Sequence, residues 1–263
     1  MSDKNYKNYK GRVPSLARCV EILDLIASRK QITGADILES LAIPKSTLYV
    51  LINAMEELGL IRKSADGGRL QLGLKLMSLG QLAAERLDLR EIAYPFMRAL
   101  IETEPCYSSV LGILDGDHAY YAAKVINTQR GITTISRVGQ EISLVRAGIG
   151  KCLLAFSPDS MRERLLPVLD YHVVTETSIT TPEALRKELA NIRLRGWALG
   201  NCEGERGVRS VVAPVFNSCN AIECAVSLEG SLSDFTDDKL DEIAAKVRQC
   251  ASGLTAVLSG RAN

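Results

Sequence analysis

The sequence has only two histidines, His118 and His172, and neither stands at metal-site spacing from a second ligand. That excludes a histidine-rich metal centre, and a Ser-His-Asp or Cys-His relay would have to rest on one of these two positions. The seven cysteines (Cys19, Cys106, Cys152, Cys202, Cys219, Cys224, Cys250) include no Cys-x-x-Cys pair. Their odd number and scattered spacing fit neither a disulfide framework nor a zinc site, so they read as small reduced core residues. No apolar run approaches the ~20 residues a membrane helix needs, and the opening MSDKNYKNYKGR lacks the apolar segment of a signal peptide. No membrane partner is expected, and the cytoplasm is the expected compartment.

What is present is an ordinary globular composition of 263 residues, 46% hydrophobic and 24% charged. At roughly 150 residues per domain, this length suggests two domains. The near-zero net charge of +1 conceals an asymmetry: residues 1–80 carry 12 basic and 8 acidic side chains, leaving 20 and 23 in residues 81–263. A mildly basic head on a mildly acidic body suits a protein whose head alone meets a polyanion.

The head reads as an arm (1–12) followed by a winged helix-turn-helix (13–73). Ser15 offers a cap to a helix over 16–28, with Leu16, Cys19, Val20, Leu23, Ile26 and Ala27 at three- and four-residue spacing. Thr33 caps a short second helix ending near Leu41, and Ala42-Ile43-Pro44 breaks the chain before a third. That third helix spans Lys45 to Leu58, with Gly59 ending it and Leu48, Leu51, Ile52, Met55 and Leu58 as its buried stripe. Its free face carries Lys45, Ser46, Thr47, Tyr49 and Asn53, a set of cationic, hydroxyl, aromatic and amide groups that suits a DNA major groove. Leu60–Lys63 and Arg69–Leu72 read as two short strands around an Asp66-Gly67 turn, placing Arg62, Lys63 and Arg69 on a wing where phosphates would pass. A helical module that docks on another protein remains the alternative reading.

Three phrases of this region, SLARCVEILDLIAS, LAIPKSTLYVLINAMEELGLI and GGRLQLGLKLMSLG, closely resemble the isocitrate lyase regulator (IclR) family of bacterial transcription factors. In that family Pro-Lys-Ser-Thr followed by an aromatic or imidazole residue opens the recognition helix, as Pro44-Lys45-Ser46-Thr47-Leu48-Tyr49 does here. The resemblance implies a ligand-responsive regulator, a repressor of a catabolic operon in the first reading, that binds a double-stranded DNA operator. It implies no cofactor and no catalysis.

Residues 74–88 form a linker helix with too many apolar positions for one buried stripe, which favours packing against a second copy or between two domains. The resemblance implies a homodimer or homotetramer whose symmetry matches an inverted-repeat operator. Beyond it, residues 89–260 alternate between helix and strand signals. A helix over Arg90–Glu102 interrupted at Pro95 is followed by a hairpin of Ser108–Leu114 and Ala119–Val125, then a strand over Ile132–Val138. Helices over Lys151–Phe156, Met161–Leu166 and Pro182–Arg195 precede strands at Trp197–Leu199, Ser210–Val215 and Ile222–Leu228. A closing helix capped by Thr236 or Asp237 runs to Leu258. This predicts an α+β domain, an antiparallel sheet flanked by helices in a GAF-like arrangement, one face of which can hold a small molecule.

The phrases RVGQEISLVRAGIGKCLLAF, SITTPEALRKELANIRLRGWALG and GERGVRSVVAPVFNS followed by AVSLEG extend the same family resemblance over this half. Ala147-Gly148-Ile149-Gly150-Lys151-Cys152 is not a phosphate-binding loop, because Val145 stands where its first glycine would and Cys152 where its hydroxyl would. It remains a glycine turn entering a helix, where free N–H groups of Gly148, Ile149 and Gly150 favour an anion; glycines serving only tight packing are the alternative. The resemblance further implies effector contacts at Gly200, Ser210, Ser227 and Glu229. Gly200 lacks the acid the family carries there, and Glu229 replaces a neutral donor with a carboxylate that, if buried, needs a partner. Arg146 is the expected source of that charge. Cys152 and Ser210 are conceivable nucleophiles, but no base or oxyanion partner accompanies either.

Overall fold

The computed structural model describes residues 13–29, 31–64, 68–85, 88–130 and 134–260. The arm and the Asp66-Gly67 turn lie outside the described residues. The chain divides into two compact units, residues 1–86 and 87–263.

In the first unit α1 (Pro14–Ser28), α2 (Gly34–Ser40) and α3 (Lys45–Glu57) precede β1 (Ile61–Lys63), β2 (Leu70–Leu72) and α4 (Leu74–Glu85). α1 starts behind Val13 with Pro14 in its first turn, so Ser15 is not its cap; the fixed φ of proline suits that position. Thr33 does cap α2, in a box where its hydroxyl receives the Asp36 N–H and the Asp36 carboxylate receives the Thr33 N–H at 2.7 Å. Those bonds hold the Asp36 carboxyl below its ordinary range, the Thr33 backbone N–H first. Ile22, Ile26, Ile37, Leu48, Ile52, Met55, Ile61 and Leu70 form the core. Leu58, expected in the buried stripe, is exposed because it sits at the helix end, after which Gly59 turns the chain at φ 73°. β1 and β2 pair antiparallel, and Leu70 donates to the Ile32 carbonyl at 2.8 Å, tying the wing to the start of α2.

The second unit contains α5 (Asp88–Ile101), β3 (Ser108–Asp115), β4 (His118–Ile126), β5 (Glu141–Ile142), α6 (Gly148–Phe156), α7 (Asp159–Leu165), α8 (Pro182–Arg195), β6 (Ala198–Asn201), β7 (Val208–Phe216), β8 (Ile222–Ser231) and α9 (Leu240–Leu258). The sheet order is β5-β4-β3-β8-β7-β6, antiparallel throughout. Because side chains alternate along each strand, the sheet buries two faces. Leu111, Val211, Val226 and Leu228 pack with α5 and α9, whereas Val110, Val212 and Ala225 pack with α6 and α8.

Several expectations change here. α5 continues through Pro95, because the burial of Ala93, Met97 and Leu100 outweighs one lost helical hydrogen bond. Residues 134–138 form no strand, and 131–133 lie outside the described residues. A single 3-10 turn, Asp237–Lys239, precedes α9, so its cap is Lys239 rather than Thr236 or Asp237.

Candidate functional site

In the first unit, α3 turns its apolar stripe inward and leaves Lys45, Ser46, Tyr49, Val50 and Asn53 exposed, with Thr47 half-buried at the margin. Val50, 67% exposed, lies on the same face as Ser46 and Asn53 and was not anticipated, since an apolar residue there looks like core until the register is fixed. An exposed methyl-bearing side chain among polar ones matches groove surfaces that meet thymine methyls. Arg62, Lys63 and Arg69 are exposed on the two strands. Lys63 is engaged with Glu56 at 2.5 Å, which partly neutralises it, and the backbone of Arg69 bridges to Thr33.

In the second unit the strand register aligns Ser108, Glu229, Ser210 and Gly200 across β3, β8, β7 and β6. This row lies on the α6 face, at the end of the sheet beyond the apolar packing. Gly148, the first residue of α6, sits directly on Gly200 and Ser210: a Cβ at Gly148 would meet Ser210 Oγ at 2.6 Å and Gly200 N at 2.8 Å. The glycines are therefore required for this approach, and three of the expected residues meet at the α6 N-terminus. Gly150 and Ile149 point elsewhere. A Cβ at Gly150 would lie 2.1 Å from the Ser143 carbonyl, and Ile149 is buried in the core.

Glu229 is buried, and its Oε2 accepts from Ser108 Oγ at 2.8 Å, Thr134 Oγ1 at 2.5 Å and Ser136 Oγ at 3.3 Å. The expected partner, Arg146, is not there. Its guanidinium binds Asp170 at 3.2 Å, 3.2 Å from His172 Nδ1, because the chain just before α6 directs that side chain outward. The nearby cation is Lys124 on β4, a residue the sequence reading passed over. Its Nζ donates to Thr134 Oγ1 at 2.9 Å and Ser136 Oγ at 3.0 Å, and to both carbonyls at 3.0 and 2.9 Å. Burial lowers the Lys124 pKa, opposed by Glu229 and Glu205; burial and the same two carboxylates raise that of Tyr121. These four side chains thus share one electrostatic space. Ser227, also expected here, is fully buried one row below and donates to the Val110 carbonyl at 3.3 Å.

Lys151 and Glu203 form a fully buried ion pair, with the second Glu203 oxygen accepting the Asn201 N–H. Cys152 is sealed in the core, and burial pushes its thiol far above the ordinary value, away from nucleophilic thiolate. Both histidines have carboxylate partners that the spacing did not suggest: His118 Nδ1 lies 2.7 Å from Glu141, and His172 Nδ1 lies 2.6 Å from Asp170. Among the described residues no helix is long and apolar enough to cross a membrane.

A winged helix-turn-helix unit followed by a separate sheet-based unit with a polar recess defines a regulator class that couples a DNA-binding head to an effector-binding body. Residues 15–65 match the IclR helix-turn-helix domain, and residues 81–256 match the bacterial transcriptional regulator IclR C-terminal domain. The chain belongs to the IclR family of bacterial transcriptional regulators. It is 36% identical to the uncharacterized HTH-type transcriptional regulator RhmR of Escherichia coli (strain K12), over 94% of both chains. It is 26% identical to the transcriptional repressor IclR of the same organism, covering 95% of this chain and 92% of that one. The crystal structure of Thermotoga maritima IclR superposes with a TM-score of 0.73 at 28% identity, over 94% of this chain and 99% of that one.

Proposed function

We propose that the protein is a ligand-responsive repressor of a catabolic operon, binding a palindromic operator as a dimer or tetramer. The exposed face of α3 carries this reading: Lys45, Ser46, Thr47, Tyr49 and Asn53 contact base edges and phosphates in the major groove, and Arg62, Lys63 and Arg69 contact the backbone. Leu74, Met77 and Leu79 of α4 are 65%, 70% and 50% exposed, an apolar surface that a second copy would cover. The effector is a small polar organic acid or sugar-derived molecule held at the α6 N-terminus and the Ser108–Gly200 row. Arg146, Ile149 and Gly150 shape that site rather than touch the effector. Binding favours one arrangement of the paired heads over another by the effector's difference in affinity for the two.

The full chain should protect a twofold-symmetric sequence in fragments from promoters beside its own gene when assayed by footprinting. The affinity should fall steeply between about 50 and 200 mM salt. Absence of any sequence-selective protection would leave α3 as a protein-docking face.

A further inference from the structure

One carboxylate oxygen in the second unit is surrounded by hydroxyls. Ser108, Thr134 and Ser136 all donate to Glu229 Oε2, and Thr134 Oγ1 and Ser136 Oγ lie 3.0 Å from each other. On their other side, Lys124 Nζ donates to the same two hydroxyls. Each hydroxyl thus accepts from a cation and donates to an anion. Neighbouring hydroxyls of a polyol, clamped by a lysine-glutamate pair, would be held in the same way. Here the chain itself supplies the two hydroxyls, from a stretch that makes no strand and lies across the polar end of the sheet.

We propose that Lys124 and Glu229 form a receptor for a vicinal diol, that residues 134–136 fill it in the effector-free protein, and that a polyhydroxylated acid displaces them. The proposal rests on the effector-site reading above and narrows it to one ligand class. Glu229, Ser108, Thr134 and Ser136 are each at most 8% exposed, so whatever replaces the native hydroxyls must itself donate to the carboxylate. An apolar acid or a simple keto acid cannot. The α6 N-terminus, which favours the acid group, lies above Gly200, two strands from Glu229 in the same row, about 10 Å between backbones. A two- or three-carbon acid is too short to occupy both ends, whereas an aldonate chain reaches.

Displacement also supplies a route of response. Glu205, on the loop between β6 and β7, accepts the Ile135 N–H at 3.3 Å, so movement of 134–136 breaks a tie to the loop that carries Glu203 and its buried partner Lys151.

The test is calorimetric titration of the full-length protein with D-gluconate and D-xylonate, against hexanoate and pyruvate as acids without a diol. At least one aldonate is expected to bind. Thr134→Ala combined with Ser136→Ala should tighten that binding about tenfold, since the ligand no longer competes with the chain. Glu229→Gln should weaken it at least tenfold, and hydrogen exchange in the peptide spanning residues 134–138 should rise on ligand addition. Thermal melting checks that each variant is folded. Should Glu229→Gln prove unstable, the alanine pair and the exchange experiment still decide. Unchanged or weakened aldonate binding in the alanine pair, or no aldonate binding at all, overturns the proposal. Pyruvate binding that Ser210→Ala weakens and Glu229→Gln does not would retain the pocket while discarding the diol receptor. Acid binding insensitive to Ser210 and Glu229 alike would discard the pocket itself.

Discussion

The two units hold their polar groups in opposite ways. On α3 of the head, Lys45, Ser46, Tyr49 and Asn53 stand in solvent. On the polar row of the body, Ser108, Ser227 and Glu229 are buried and already hydrogen-bonded within the chain. A solvated cation gives affinity for a polyanion largely by releasing counterions, so the head's binding must respond to salt. A buried carboxylate exchanges one donor for another in a low-dielectric recess, so the body's binding must respond to ligand hydroxyls and scarcely to salt. The same residue types therefore serve long-range attraction in one unit and short-range discrimination in the other.

The sharpest contrast is between ion pairs. Lys151 and Glu203 are 2% and 5% exposed at their side chains, whereas Lys63 and Glu56 are 39% and 37% exposed. Lys151→Met strands a carboxylate in the interior and should lower stability by about 3–5 kcal/mol. Lys63→Met should cost below about 1 kcal/mol, since water and salt already screen that pair. Urea unfolding of both variants measures the difference; equal losses would erase the distinction between the units.

Next in size are the direct contacts. Ser46→Ala or Asn53→Ala should remove about 1–3 kcal/mol of discrimination between operator bases while leaving effector titrations unaltered. Selection from random duplexes reads this out, and a variant with wild-type preferences would take that residue out of the groove.

This asymmetry also explains what sequence alone could convey. α3 was legible because only one face is buried: a three- and four-residue apolar rhythm interrupted by polar side chains gives both the helix and its free surface. α6 was not, because Gly148 through Ala155 are all buried and no periodicity distinguishes a ligand-facing residue from a packed one. Its glycines drew attention, but only coordinates separate Gly148, stacked on Ser210, from Gly150, pressed on the Ser143 carbonyl. Arg146 was assigned to Glu229 on charge, yet charge carries no direction. Lys124, the cation that does reach this network, sits in an apolar strand whose partners Thr134 and Ser136 belong to a stretch rich in β-branched residues. That composition suggested a strand; the hydroxyls are instead used up by side-chain bonds, so the local preference lost to a contact distant in sequence.

Smaller still is the helix cap. Thr33→Ala removes the α2 capping box and should destabilise the head by about 1 kcal/mol, with no shift in the unfolding of the body. Asp36 has its carboxyl pKa lowered in the native state by the same bonds, so this contribution is full above the ordinary carboxylate range and is lost as pH falls toward the lowered native value. The stability difference between wild type and Thr33→Ala should therefore shrink in acid; a difference constant down to strongly acidic pH would show that Asp36 is not part of the cap.

The least dramatic change tests the comparison most directly. Arg62 is exposed on β1, where its expected partner is a phosphate and not a base. Arg62→Ala should then weaken all duplexes by a similar factor and reduce the slope of log affinity against log salt by about 0.9, the share of one neutralised phosphate. Across a fourfold rise in salt, the variant should lose roughly three- to fourfold less affinity than the wild type does, by the same counterion argument. The ratio between best and random sequence should stay fixed, because a backbone contact carries no base information. If instead the ratio falls while the slope holds, Arg62 reaches into a groove, and the wing belongs with α3 as a reader of sequence.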